Sequence, residues 1–321
     1  MPQSSISITS DRLTVEVAPP ETTYKGTRFD WTGFITQVTL DGAHTFCVPE
    51  SFEPGRGTGG IGLCNEFGIE RPIGYDDAAP GEPFPKLGIG LLLRPDEGPY
   101  RFMVQHEIAE RFPVHIEAAL DQVRFVVDPV PCRGVAVRLT KTLAVSGNEL
   151  TIDYQLENVG EQAIATHEYV HNFCGIDGHE MGPDYRLRFA QPVAFEDTLE
   201  RIREQMEANR DRLPPEIRDL TPEELQQRLL AIYDVSGHDF SLHATPQRPF
   251  YCRLTGLART DGPQWELTHV PTGIKMQEYD DFEPSRIAVW GESHVISAEV
   301  FVDIEVGPGE MQTWKRRYVF G

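Results

Sequence analysis

The feature that most constrains the fold of this 321-residue chain is the alternation of apolar and polar residues within short segments. Four segments with this pattern follow one another in residues 100–157, and the pattern returns in residues 239–320. A period of two residues is typical of a strand that buries one face. Turn residues separate the segments at roughly the 8–12-residue spacing of sandwiches and barrels. The pattern therefore predicts an all-β protein, built as a large sandwich or barrel.

Residues 196–235 interrupt this pattern with apolar residues at helical spacing. Thr221, Pro222 and Glu224 supply an N-cap, a proline at the first helical position and a capping-box acid. The spacing predicts two helices, over 197–213 and 221–234, with a break at the Pro-Pro pair between them. The predicted helical hairpin is either a lid over a cleft or an element packed on the sandwich. Its apolar positions are Leu199, Ile202, Met206, Leu225, Leu229 and Ile232.

The net charge of −21 limits the partners of the chain. A nucleic-acid-binding protein carries a basic surface, and the basic run at 315–317 lies in an alternating strand segment. No apolar run approaches the roughly 18 residues of a membrane span, and the N-terminal residues lack the pattern of a signal peptide. Five scattered cysteines without a CxxC pair indicate reduced thiols. We therefore expect a cytoplasmic protein that binds neither nucleic acid nor membranes; the oligomeric state is not predicted.

Two histidines lie in residues 163–173, after the alternating segment 151–160. His167, Glu168 and His171 match the HExxH pattern of zinc proteases, which requires a helix because both imidazoles must reach one zinc. The short length, the flanking glycines and the β-branched and aromatic residues predict a strand instead. On a strand the two histidines lie about 13 Å apart, so we expect no metal site. The alternative is a pair of buried, hydrogen-bonded histidines without a chemical role.

Two further regions carry candidate residues for binding a sugar. Arg28, Asp30 and Trp31 stand close together; an indole can stack on the C–H face of a sugar while charged groups hold its hydroxyls. The alternative for these residues is a surface ion pair beside a core tryptophan. Residues 55–95 are rich in glycine and proline, lack the Gly-Lys-Ser/Thr ending of a phosphate loop, and predict a loop lining a cleft. Its polar candidates are Asn65, Glu66, Arg71 and Lys86.

Three stretches together resemble the galactose mutarotase (aldose 1-epimerase) superfamily. Residues 156–173, LENVGEQAIATHEYVHNF, are similar to the family's strand and Asn-x-Gly-type turn before His-x-Tyr-Phe-Asn. Residues 286–320 resemble its terminal pattern of a Val-Trp strand, a strand with the catalytic glutamate, Pro-Gly-Glu and a last strand. Residues 84–92, FPKLGIGLL, stand where mutarotases carry a histidine followed by glycine. The resemblance covers most of the chain in outline, and the hexose-phosphate mutarotases are the more similar branch.

This resemblance implies a large antiparallel β-sandwich, the galactose mutarotase-like supersandwich, as a single domain over 1–321 with the helical insert at 196–235. It implies an isomerase that interconverts sugar anomers without a cofactor, with a small-molecule carbohydrate as its partner. Glu299 would be the general base for the anomeric hydroxyl. His171, or alternatively His167, would be the acid for the ring oxygen. Tyr169 and Asn172 would bind substrate, and a carboxylate and an imidazole flanking one sugar predict a separation of roughly 5–8 Å.

The chain departs from the family pattern at Leu87, which stands in place of the second histidine. Lys86 would substitute for that histidine, for example toward an acidic or phosphorylated sugar. Three other functions remain open. The first is a related lyase or isomerase in which Lys86, Arg28 or Arg71 neutralises an acidic sugar. The others are a carbohydrate-binding protein without catalysis, and zinc hydrolysis.

Overall fold

The strands and helices are given by a computed structural model, which describes residues 5–196, 199–208, 210 and 215–321. The first strands are β1 (Ile6–Thr9), β2 (Leu13–Ala18), β3 (Phe34–Leu40), β4 (His44–Thr45), β5 (Leu63–Phe67), β6 (Pro83–Lys86), β7 (Gly90–Leu93), β8 (Ile108–Arg111), β9 (Val114–Ala118), β10 (Gln122–Val127), β11 (Val137–Ser146) and β12 (Glu149–Asn158). The later strands are β13 (Ile164–Asn172), β14 (Tyr185–Phe189), β15 (Ala194–Phe195), β16 (Tyr233–Ser236), β17 (Asp239–Leu242), β18 (Phe250–Thr255), β19 (Trp265–His269), β20 (Lys275–Asp280), β21 (Arg286–Glu292), β22 (Val295–Val306) and β23 (Met311–Phe320). The helices are α1 (Leu199–Ala208), α2 (Pro215–Arg218) and α3 (Pro222–Leu230).

The strands form two large sheets and a small one. The first sheet has the order β1-β2-β3-β5-β13-β22-β21-β18-β15, with β4 paired to β3. The second has the order β16-β17-β14-β19-β20-β23-β12-β11-β10-β9, and the small sheet is β6-β7-β8. Neighbouring strands pair in the antiparallel sense, as β13 does with both β5 and β22. This arrangement confirms the predicted antiparallel β-sandwich with a small helical insert.

Strand positions follow the alternating pattern closely where one face is buried. Phe34–Leu40 and Tyr185–Phe189 are strands. The histidine segment forms the strand β13, so the helix that the HExxH pattern requires is not present there. The prediction of one loop over residues 55–95 is wrong, because β5, β6 and β7 lie within it. All five residues of β5 are buried, and a strand covered on both faces shows no alternation.

Helix α3 begins with the predicted capping signal. Thr221 and Glu224 form reciprocal capping-box hydrogen bonds at the start of α3. α3 ends at Leu230 and β16 begins at Tyr233, so the predicted extension of this helix to residue 234 is wrong. Positions 197, 198, 209 and 211–214 of the first predicted helix lie outside the described residues. None of the helices in the described ranges is both long enough and apolar enough to cross a membrane.

Strand β13 separates two different environments, because alternate side chains point to opposite faces of a sheet. Glu168 and Asn172 point toward the second sheet, where they bind Arg316 and Tyr318 of β23. The main hydrophobic core lies on this side. Residues 167, 169 and 171 point to the outer face, on which a smaller aromatic-rich cluster joins the first sheet to β6 and β7. His167, Tyr169 and His171 therefore share the outer face, whereas Glu168 is buried between the two sheets.

Candidate active site

Glu299 and His171 lie next to each other on the outer face of the first sheet. β13 and β22 pair with Tyr169 opposite Phe301, and the same register places His171 opposite Glu299. Nε2 of His171 lies 3.2 Å from Oε1 of Glu299, and both side chains are buried. The predicted separation of one sugar ring is therefore wrong. Residues directly opposite on paired strands have Cβ atoms only about 4.5–5.5 Å apart, which brings the two groups into direct contact.

Burial controls the protonation of this pair. It raises the pKa of Glu299 to about 8, against the opposing charge of Arg28. It lowers the pKa of His171 well below the ordinary value, and the charge of Arg28 adds to that shift. Near pH 7 the pair therefore holds one transferable proton and carries no net charge. The contact between Oε1 and Nε2 gives this proton a direct path between the two residues, so they titrate as a unit.

Aromatic rings hold the imidazole of His171 in place. Phe173 stacks on it with ring centroids 3.9 Å apart and an angle of 11° between the planes. Trp290 and Phe29 approach it edge-on, at 5.2 Å and 6.0 Å between centroids. Nδ1 of His171 is buried and has no hydrogen-bond partner among the described residues. Nε2 is therefore the nitrogen that exchanges a proton with Glu299.

A second network, formed by Arg28, Glu66 and Tyr169, lies beside the pair. Nε of Arg28 donates to Oε2 of Glu66 at 2.8 Å, and Nη2 of Arg28 donates to the hydroxyl of Tyr169 at 2.9 Å. That hydroxyl donates to the same Glu66 oxygen at 2.6 Å. Burial raises the pKa of Tyr169 well above its ordinary value, so the phenol remains a hydrogen-bonding group. The three side chains fix one another. Glu66 does not line the cavity, but it positions Arg28 and Tyr169, which do.

Lys86 lies behind this network. Its Nζ lies 3.6 Å from Oε1 of Glu66 and donates to the carbonyl of Phe67 at 2.7 Å. Burial lowers the pKa of Lys86 to about 8, although the charge of Glu66 acts in the opposite direction. Leu87 packs in the main hydrophobic core. The expectation that Lys86 replaces a sugar-binding histidine is corrected accordingly: its ammonium group supports Glu66 from the protein interior.

A cavity of about 520 Å³ lies over the His171–Glu299 pair. This volume is within the range of roughly 300–1,000 Å³ found for small-molecule sites. Arg28 and Tyr169 are the predicted binding residues that line it together with the pair. Loops contribute walls at residues 50–57, 69–70 and 102–103. No described residue of the helical insert lines this cavity, which corrects the interpretation of the insert as its lid.

Asp30 and Trp31 do not line the cavity, contrary to the expectation for sugar-binding residues. Asp30 is buried and forms an ion pair with Lys141 at 3.0 Å. The indole of Trp31 donates to the carbonyl of Gly26 at 2.8 Å and packs in the smaller hydrophobic cluster. Both side chains therefore stabilise the fold beneath the site.

Asn172, Arg71 and His167 also lie outside the cavity lining. Asn172 faces the second sheet because it is one position along β13 from His171. Arg71 is exposed on the surface, 3.9 Å from Asp303. His167 is buried beside the ring of Phe301, and burial together with the charge of Arg286 lowers its pKa to about 4. Of the two histidines proposed as the acid, His171 is the one that contacts Glu299.

Sequence analysis missed three of the four arginines that line the cavity: Arg56, Arg253 and Arg286. Arg253 on β18 and Arg286 on β21 both bind Glu70, which follows β5, at 2.7 Å and 2.8 Å. A signal existed for Arg286, because it lies four residues before Trp290 and therefore on the same face of one strand. Nothing in the local pattern of β18 distinguishes Arg253 from a solvent-exposed residue, since its position depends on pairing with β21.

Solved structures match this chain over nearly its whole length, whereas no family model and no curated protein matches it. A galactose mutarotase-like protein from Clostridium acetobutylicum is 10% identical, with a TM-score of 0.58, over 98% of this chain and 94% of that chain. A galactose mutarotase related enzyme from Lactobacillus acidophilus is 9% identical, with a TM-score of 0.54, over 99% and 97%. An aldose epimerase homologue from C. elegans is 11% identical, with a TM-score of 0.53, over 99% and 98%. At these identities the likeness is one of fold.

Proposed function

Because the chain has the galactose mutarotase-like fold, we propose that it is an isomerase of the aldose 1-epimerase type that interconverts the anomers of a sugar. The observation that carries this proposal is the 3.2 Å contact between Glu299 and His171 under the cavity. Anomer exchange requires one oxygen on C1 to lose a proton while the other gains one. A carboxyl and an imidazole that share one proton supply both the base and the acid.

The proton path uses the form of the pair in which Glu299 is a carboxylate and His171 is protonated on Nε2. Glu299 takes the proton of the anomeric hydroxyl while Nε2 delivers its proton to the ring oxygen, and the bond between C1 and that oxygen breaks. Rotation about C1–C2 presents the other face of the aldehyde to the new hydroxyl. The same transfers in reverse then close the ring. Protons balance, since the pair holds one proton before and after each transfer.

Direct contact between the two catalytic residues suits this reaction. The anomeric hydroxyl and the ring oxygen are bonded to the same carbon, so the groups that serve them must also be close together. Arg28 and Tyr169 place hydrogen-bonding groups at the edge of the same cavity, and Trp290 offers an aromatic surface for the C–H groups of a sugar. The buried pair is held by aromatic rings, which limits access of water to the transferred protons.

A lyase acting on an acidic sugar is the second candidate function. Arg253 and Arg286 in the cavity favour it, because neutralising a carboxylate makes the neighbouring C–H proton easier to remove. One residue of the pair would remove that proton while the other protonates the oxygen on the neighbouring carbon; the bond between that carbon and the oxygen breaks, the alcohol or water leaves, and a carbon–carbon double bond remains. The two functions therefore differ in their products.

Magnetisation-exchange NMR on the anomeric protons of glucose, glucose 6-phosphate and glucuronate tests the proposal. The protein is expected to accelerate exchange for at least one of these sugars. Glu299→Gln is expected to abolish that acceleration while binding remains measurable, and unchanged exchange in this variant would overturn the assignment of the base. An unsaturated product, detected by its ultraviolet absorbance without anomer exchange, would favour the lyase instead.

A further inference from the structure

Two arginines of the cavity converge on a single carboxylate. Nη2 of Arg253 lies 2.7 Å from Oε1 of Glu70, and Nη1 of Arg286 lies 2.8 Å from Oε2. Each carboxylate oxygen thus has its own guanidinium group. The arginine side chains are 20% and 18% exposed, whereas that of Glu70 is 50% exposed. The two arginines lie on strands of the first sheet, whereas the Glu70 carboxylate is partly exposed to solvent.

Arg286 is fixed independently of Glu70. Its guanidinium carbon lies 3.7 Å from the centre of the Phe301 ring, and Phe301 in turn stacks on Tyr169 with centroids 4.4 Å apart. Nε of Arg286 is buried and has no hydrogen-bond partner among the described residues. A donor of this charged group is therefore left unused while Glu70 occupies the other end of the guanidinium.

These arginines lie at a fixed distance from the catalytic pair. Arg253 is opposite Ala288 on β21, and Ala288 is opposite Glu299 on β22. Two strand spacings, about 9.5 Å, therefore separate the backbone positions of Arg253 and Glu299. Arg253, Arg286 and Glu299 all line the same cavity. A sugar ring with its anomeric carbon at Glu299 would direct an exocyclic acidic group toward the arginines.

The other two arginines of the cavity have carboxylates of their own. Arg28 binds Glu66 at 2.8 Å, and Arg56 binds Glu292 at 3.0 Å. Glu66 is fully buried, so it cannot leave Arg28 for the solvent. Glu70 differs because it is half exposed and lies on the loop that follows β5. It is therefore the carboxylate of the cavity best placed to move aside.

We propose that Arg253 and Arg286 form an anion subsite for the acidic group of a sugar substrate, and that Glu70 occupies this subsite in the free enzyme. The inference rests on the proposed function in taking the ligand to be a sugar. Replacing Glu70 by the anionic oxygens of the substrate keeps both guanidinium groups paired, so no buried charge is left alone. A neutral sugar leaves Glu70 in place, and the subsite therefore selects for acidic sugars.

Isothermal titration calorimetry with glucose, glucose 6-phosphate and glucuronate tests the subsite. One acidic sugar or both are expected to bind at least about tenfold more tightly than glucose, the scale of one charge-assisted hydrogen bond. Arg286→Met and Arg253→Met should each remove this preference without weakening the binding of glucose, and Arg286→Lys should restore part of it. Glu70→Gln should strengthen the binding of inorganic phosphate, because the competing carboxylate is gone.

Arg188→Met is the matched control, because it removes one positive charge from an exposed ion pair with Asp239 on the second sheet. It should leave all affinities unchanged. Equal affinity for neutral and acidic sugars, or a preference that survives both arginine substitutions, would overturn the subsite. The measurement needs no turnover and can be repeated in Glu299→Gln. A protein that shows the charge preference but never exchanges anomers would retain the subsite and refute the epimerase.

Discussion

Glu299 and His171 face each other across neighbouring strands, with Oε1 of one 3.2 Å from Nε2 of the other. Neither group has its ordinary acidity, because burial raises the pKa of the carboxyl to about 8 and lowers that of the imidazole. The two shifts have the same consequence. They keep the pair electrically neutral and leave it one proton to move.

Removing either member of the pair should remove catalysis. We expect Glu299→Gln and His171→Gln each to slow anomer exchange by about 10²–10⁴-fold, the usual contribution of a general acid or base. The double variant should be little worse than either single variant, since residues that act as a unit are not additive. His167→Gln is the control on the same face of β13 and should retain most of the rate. A larger loss from His167→Gln than from His171→Gln would exchange the roles of the two histidines.

The rate of anomer exchange should fall above about pH 8. Loss of the transferable proton leaves a Glu299 carboxylate and a neutral His171 whose Nε2 has no proton to give to the ring oxygen. Because the pKa of Glu299 is raised to about 8, the active form persists through neutrality and is lost on the alkaline side. Lys86 also has a pKa of about 8, so the pH profile of kcat is to be measured in Lys86→Met as well. Disappearance of the alkaline limb in that variant would assign it to the lysine.

Tyr169→Phe should weaken substrate binding more than it slows the chemical step. The hydroxyl links Arg28 to Glu66 through two hydrogen bonds, at 2.9 Å and 2.6 Å. Without it Arg28 keeps its bond to Glu66 but loses a second anchor, and we expect KM to rise by about tenfold at similar kcat. Steady-state kinetics with the preferred sugar measure both constants. A fall in kcat with KM unchanged would instead place the tyrosine in the proton transfer.

Arg316→Met should destabilise the fold by about 3–5 kcal/mol, because it leaves buried carboxylates without their partner. Arg316 is fully buried and binds Glu168 at 2.8 Å and Glu278 at 2.7 Å. The adjacent Arg317 forms a partly exposed ion pair with Glu149, and Arg317→Met should cost only about 0–1 kcal/mol. Urea unfolding of the two variants gives the comparison. Similar free energies of unfolding would show that the buried charges are compensated in another way.

The fold could be predicted wherever a strand has one face in the core. Tyr185–Phe189 alternates apolar residues with arginines in sequence, and it is a strand whose apolar side chains are buried. β5 could not be found in this way, because it is buried on both faces and lies among glycines and prolines. The capping box at Thr221 was readable because it is local, whereas the C-terminal end of α3 has no equivalent signal.

The candidate site depends on register between strands far apart in the chain, which local patterns do not contain. The resemblance to mutarotases singled out Glu299 and His171, but their direct contact follows from the pairing of β13 with β22. Two charged residues were wrongly predicted to bind the substrate, because sequence does not show that they pair with other charges inside the protein. Asp30 and Lys86 look like ligand-binding groups in sequence, and each instead has an ionic partner in the interior.

Because side chains alternate along β13, we expect the proposed catalytic activity and the thermal stability of this protein to be linked. Glu168 and Asn172 hold the strand to Arg316 and Tyr318 on its inner face, and His171, the proposed proton donor, lies between them in sequence and points to the outer face. A substitution beneath the strand would let His171 drift even if the molecule stayed folded. Variants selected for heat tolerance at these inner positions should therefore be screened for altered catalysis, although none of them would ever touch a sugar.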